Sequence, residues 1–152
     1  MAIKLSTLIA AVEARLADQI SGARVLDVAG PIALQDRPQQ RLHKGIAVHC
    51  ATTNDLQHAH GDADQRVGDE LIVQIVYRLR PKGSRTDSRS ALDLEDDVIK
   101  ALTDHAWATA TTWATPRDQP LITYAGTVRA WPLAEWQVAD VSFLVRRNQA
   151  AN

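Results

Sequence analysis

A single cysteine, Cys50, excludes an intramolecular disulfide and any zinc site built on cysteine ligands. Charge of either sign is also not in surplus: 17 Lys and Arg stand against 18 Asp and Glu, a net charge of −1. A general nucleic-acid binder shows a basic excess, and this chain has none. No run approaches the roughly 20 apolar residues that cross a bilayer. The N-terminal Met-Ala-Ile-Lys-Leu leads into an amphipathic pattern, where a signal peptide would have a continuous apolar core. Folding in a reducing cytoplasm is expected. Motifs are missing as well: no Walker loop, no Gly-x-Gly-x-x-Gly, and no Gly-x-Ser-x-Gly elbow at Ser84, Ser88 or Ser90. What remains is 45% apolar and 23% charged over 152 residues, enough for one domain with a real core.

The stretch from Gly68 to His105 organises the rest. Leu71, Val73, Ile75, Tyr77 and Leu79 alternate with Glu70, Ile72, Gln74, Val76, Arg78 and Arg80, the period of a half-buried strand. Pro81-Lys82-Gly83-Ser84 breaks it. From about Ser88 to His105 the spacing predicts a helix, with Ser90 and Asp93 resembling a capping box. Asp93, Glu95, Asp96 and Asp97 then suit the positive end of the helix dipole. Leu92, Leu94, Val98, Ile99, Ala101 and Leu102 form its apolar stripe.

Around this unit, Leu5, Leu8, Ile9, Val12, Leu16 and Ile20 predict an N-terminal helix that stops at Ser21-Gly22. Arg24 to Val28 reads as a short strand, Gln35 to Gln40 as loop, and Gly45 to Thr52 as a strand with Ile46, Val48 and Cys50 inward and His49 opposite. Cys50 thus reads as a buried structural thiol. Residues 53–67 read as a long polar loop. Ala106 to Pro120 extends the helix at most as far as Pro116. Leu121 to Trp131 and Glu135 to Arg147 close the chain as two strands, and residues 147–152 read as a frayed tail. The expected fold is α+β over residues 1–152 as one domain: about four mostly antiparallel strands, with the N-terminal and central helices on one face.

Candidate chemistry is sparse. His58-Ala-His60-Gly-Asp62-Ala-Asp64 places two histidines and two carboxylates at alternate positions, which in an extended segment point the same way toward a metal. It resembles the His-x-His-x-Asp-His start of metallo-β-lactamase-type hydrolases but has Ala63 in place of the last histidine. A calcium loop lacks its bidentate glutamate. Glu95, Asp96 and Asp97 are adjacent on a helix and diverge. The reading is therefore no catalytic, cofactor or metal residue, with a small metal-dependent hydrolase using His58 to Asp64 as the competing class. Two features suit contact. Arg78, Arg80, Lys82, Arg85 and Arg89 crowd into twelve residues with Asp87 the one acid among them. They read as a solvated strand end, a subunit contact, or a phosphate-facing wall of a regulatory module. All four tryptophans, Trp107, Trp113, Trp131 and Trp136, fall in the last third and read as a satellite core or as interface anchors.

The whole layout resembles the tail terminator (tail completion, minor tail) proteins of long-tailed bacteriophages. The segments that carry the likeness are Gly-Asp-Glu-Leu-Ile-Val-Gln-Ile-Val-Tyr-Arg-Leu-Arg, Ala-Leu-Asp-Leu-Glu-Asp-Asp-Val-Ile-Lys-Ala-Leu, and the closing Glu-Trp-Gln-Val-Ala-Asp-Val-Ser-Phe-Leu-Val-Arg-Arg. The resemblance implies a virion protein without an active site, assembling as a ring, typically a hexamer, by a heterologous interface. Such a ring caps the tail tube, stops its polymerisation and joins the tail to the head–neck connector. It resides at the tail–neck junction after assembly in the host cytoplasm, and DNA passes through its lumen. A neck or head–tail adaptor ring is the neighbouring reading. Candidate subunit or tube contacts are Arg78, Arg80, Lys82, Arg85, Arg89, His58, His60, Trp113 and Trp131, with loops 53–67 and 81–89.

Overall fold

The computed structural model describes residues 3–28, 30–32, 34, 40–57, 64–80, 85–108, 120–133 and 135–150. Their order is α1 (Leu5–Gln19), β1 (Arg24–Val25), a 3-10 turn (Gln40–Leu42), β2 (Gly45–Gln57), β3 (Asp64–Arg78), α2 (Arg85–Leu102), α3 (His105–Ala108), β4 (Leu121–Leu133) and β5 (Trp136–Ala150). The five strands form one sheet in the order β1-β2-β3-β5-β4. Only the two-residue β1 runs parallel to its neighbour, and every other pairing is antiparallel. The class is α+β, with β1 as the strand beyond the expected four.

Alternation decides the core. Leu71, Val73, Ile75 and Tyr77 of β3 stand opposite Phe143, Val141, Ala139 and Gln137 of β5. All of these are buried, together with Ile46 and Val48 of β2. Onto this face α1 lays Leu8, Val12 and Leu16, one every turn, with Ile20 beyond its end. Gly22 then turns the chain at φ 82, a left-handed conformation that glycine adopts without a Cβ penalty. The second helix contributes Ala91, Leu94, Val98, Ala101 and Leu102. Leu92, expected in that stripe, is 40% exposed, because the buried row runs through Ala91.

Several boundaries differ from the sequence expectation. Residues 53–67 are not one loop: β2 continues to Gln57 and β3 begins at Asp64, so the two form a long hairpin. Polar threonines are at home there because they bond across the strands, Thr53 Oγ1 donating to Asp69 at 2.6 Å. The second helix starts at Arg85, three residues before the expected start. Ser90 is therefore interior, its hydroxyl donating back to the Thr86 carbonyl, and it caps nothing. The C-terminal strand is no frayed end at Arg147, which is buried, and pairing with β3 continues through Ala150.

Two ion pairs sit within the helix-covered side. Asp69, fully buried, receives Arg147 Nε at 2.5 Å, and the same guanidinium donates to the Ile3 carbonyl at 2.9 Å. The pair ties the N-terminal entry of α1 to the last strand. At the far end Glu95 of α2, 2% exposed, receives Arg129 of β4 at 2.6–3.0 Å and Gln137 of β5 at 3.3 Å. The hydrogen bonds to Glu95 hold the Arg129 guanidinium above its ordinary pKa.

Candidate assembly surface

The basic cluster separates once folded. Arg78 lies on the face opposite the helices, where its guanidinium meets Glu135 at 2.9–3.0 Å and sits 5.8 Å from the Trp136 ring. Its backbone N–H donates to His43 Nδ1 at 3.0 Å, and the His43 ring stands edge-on to Tyr77. Desolvation, with Lys44 and Arg78 nearby, lowers the His43 pKa, only partly opposed by Asp87. Arg78 is thus a brace at the sheet's corner. Arg80, Arg85 and Arg89 are exposed. The Arg80 N–H donates to Asp87 Oδ2 at 2.5 Å, which ties the end of β3 to the first turn of α2. Arg85 and Arg89, four apart, share one side of that helix. The acid inside the cluster is what folds the corner and leaves these three cations facing solvent.

The tryptophans do not gather either. Trp107 of α3 packs against the core under the Arg15 guanidinium at 5.5 Å, Trp136 is buried on the opposite face, and Trp131 at the end of β4 is 61% exposed. Among the described tryptophans there is no satellite core. His58, His60, Lys82 and Trp113 lie outside the described residues, as do Asp62 and the rest of the expected histidine cluster before Asp64.

A metal-holding cluster does not assemble among the described residues. No group of three or more His, Cys, Asp or Glu converges there. The acids Asp69 and Glu95 are both engaged by arginines, while Asp96 and Asp97 point outward. Glu95 therefore serves an ion pair ten residues into its helix, where the dipole argument no longer reaches. Cys50 is only partly buried, its thiol directed at the Thr52 carbonyl at 3.2 Å. Beside it, a cleft of about 580 Å³ runs between α1, the β2 edge and Asp27, Val28, Gly30 and Pro31.

The exposed surface that the sequence reading missed is β4. It is the outer strand of the sheet, 13 residues long, and only Ile122 within it is buried. Leu121, Val128 and Trp131 are 58%, 71% and 61% exposed, Leu144 of β5 adds to the outer face beside Thr123, and Tyr124, 40% exposed, stands on the other face against the Phe143 ring. The signal was present: with odd positions of β5 in the core, Leu144 falls on the outer face, and Val128 sits opposite Asp140 on that same face.

No protein-family model matches the chain, and no curated protein matches it in sequence. Solved structures do match in fold. One is a chain of the "Virion of native gene transfer agent (GTA) particle", with TM-score 0.54 and 15% identity, covering 93% of this chain and 95% of that one. The likeness is one of fold, and it spans both chains almost from end to end.

Proposed function

We propose that this chain is a structural subunit of a phage-like virion, a tail-terminator-like single domain without an active site. It closes into a ring, with six subunits the expected number, on the end of the tail tube. There it stops tube growth and joins the tail to the head–neck connector, after assembly in the host cytoplasm. The observation that carries the reading is the near-complete mutual coverage with a chain of a virion particle, 93% and 95%, at a TM-score of 0.54. A chance shared motif would cover a fragment. Two further features agree with it: the buried charges hold the fold together, and the long outer strand offers a surface for another chain. Exposed Arg80, Arg85 and Arg89 and the exposed Trp131 are the proposed contacts, and Arg78 holds their corner in place.

The test is assembly on a template. Purified protein, alone and mixed with tail tubes, is followed by light scattering and electron microscopy. The expected result is a closed ring, free in solution or at one end of each tube, together with arrest of tube elongation. A protein that stays monomeric over a wide concentration range and leaves tube growth unchanged would sink the reading. A ring that forms but ignores tubes would move it to the neck adaptor.

A further inference from the structure

We propose that β4 is the strand by which one copy of this chain joins a second copy, adding to the tip of that copy's β2 so that the sheet continues from subunit to subunit. The inference rests on the ring reading above and names the surface that makes the ring. An outer strand presents a row of backbone donors and acceptors that only another extended chain satisfies in register. Soluble proteins blunt such an edge with lysines or shorten it. Here β4 runs for 13 residues, and its one cation, Arg129, is turned to buried Glu95. The remaining guards are the bulge at Tyr124–Gly126 and Pro132 near the strand's end. Between them Val128 and Ala130 stand exposed.

The receiving edge is on the other side of the same sheet. The two-residue β1 pairs only with Gly45 and Ile46, and Asp27, Val28, Gly30 and Pro31 line a cleft with Val48 to Cys50. From Ala51 to Gln57 no described strand lies outside β2, and Ala51, Thr52, Thr53 and Asn54 are exposed. Strand direction selects a second copy as the occupant. Within the order β2-β3-β5-β4 the strands alternate, so β2 and β4 run opposite ways. Copies related by rotation about a ring axis keep the component of strand direction that lies along the axis. The β4 of one copy beside the β2 of the next is therefore an antiparallel pair that extends the existing alternation. Chemistry agrees along the exposed part of the edge, because neutral Val128 and Ala130 can meet neutral Ala51, Thr52, Thr53 and Asn54 without opposing a like charge. The seven-residue receiving edge, about 23 Å long and about 10 Å deep, gives less than about a third of the ~800 Å² per partner found in stable interfaces. Edge pairing by itself is therefore weak. Assembly should depend on concentration or on a template.

The experiment places a photo-crosslinking amino acid at Val128 in the full chain, under conditions where the unmodified protein assembles. Adducts are then mapped by mass spectrometry. Intermolecular adducts within residues 51–57 are expected. Adducts only to β4 of the other copy would mean a two-fold edge-to-edge dimer and overturn the proposal, as would intact rings with no adduct at either strand. Intact rings without an adduct leave the ring reading standing, a two-fold dimer as the whole assembly counts against both, and failure of the unmodified protein to assemble at all, with or without tubes, removes that reading and this inference with it. A second variant checks the result without the probe. Val128→Lys with Trp131→Lys alters only exposed side chains and should leave the thermal midpoint unchanged. It should raise the concentration for half-assembly by about tenfold or more, since each tenfold is about 1.4 kcal/mol. Unchanged assembly in this variant would count against β4.

Discussion

Replacing Arg147 with methionine tests whether the buried pair at the N-terminal entry holds the fold as argued. The side chain is 4% exposed and its partner carboxylate 0%, so neither group can turn to water when the other is lost. Removing the guanidinium leaves Asp69 with the Thr53 hydroxyl, 2.6 Å away, and leaves the Ile3 carbonyl without its 2.9 Å donor. Breaking a buried pair from one side costs about 3–5 kcal/mol, and the stranded carbonyl adds about 1 kcal/mol. A loss of about 4–6 kcal/mol is a large share of the roughly 5–15 kcal/mol that keeps a domain folded. Urea unfolding, at protein concentrations low enough that assembly adds nothing, reads this directly. With a slope of about 2 kcal/mol per molar, the midpoint should fall by about 2–3 M. The informative control removes both charges. Asp69→Leu with Arg147→Met leaves no unpaired carboxylate and should lie within about 1–2 kcal/mol of the natural chain, because an apolar replacement of a buried pair is often neutral. A double variant as unstable as the sum of its two single changes would refute the reasoning, since the cost would then come from lost packing.

The second ion pair is asymmetric, Glu95 side chain 2% and Arg129 38% exposed. Arg129→Ala should therefore destabilise by about 3 kcal/mol, and Glu95→Gln by less, because a freed Arg129 can be solvated; equal losses in thermal melts would contradict this. At His43 the folded state binds a proton less readily than the unfolded chain, so stability should fall as pH drops below the ordinary imidazole value of 6.5. Above that value neither state is charged there, and His43 contributes no slope. His43→Asn, which keeps an acceptor for the Arg78 N–H, should flatten the pH dependence below 6.5 in a melt series. Arg85→Glu with Arg89→Glu changes exposed side chains only and should keep the melting midpoint within about 0.5 kcal/mol of stability. Capping of tail tubes, counted by electron microscopy, should weaken, and unaltered capping would free these arginines of a contact role.

The strand Leu71 to Leu79 and the row Leu8, Val12, Leu16 were readable because burial on one face imposes a period, and a period survives in sequence. What was not readable depended on partners distant along the chain. Nothing local says that Thr53 will bond Asp69 or that Gln57 and Arg66 will pair, so polar strand ends looked like loop. Ser90 and Asp93 carried the letters of a helix cap, yet Asp87 engages the Arg80 N–H and the helix has already begun at Arg85. The arginine cluster was visible as composition. Its division into a brace at Arg78 and exposed groups at Arg80, Arg85 and Arg89 was set by Glu135 and Trp136, more than fifty residues away.

The same limit explains why the outer strand escaped notice and why it matters. Leu121, Tyr124, Val128 and Trp131 have the composition of a buried strand, and only the strand order reveals that, among the described residues, β4 has a neighbouring strand on one side alone. A sheet that ends on a long edge with one cation, itself paired to Glu95, is a poor design for a chain that stays alone, since that edge invites uncontrolled pairing. It is a sensible design for a subunit whose edge is covered in use. Covering by rotation around an axis exhausts both edges of every copy at once, which a two-fold dimer through β4 cannot do, because it leaves β2 open on each side. In the proposed ring, closure would thus cover an edge on both sides of every subunit and stop growth with the same contact.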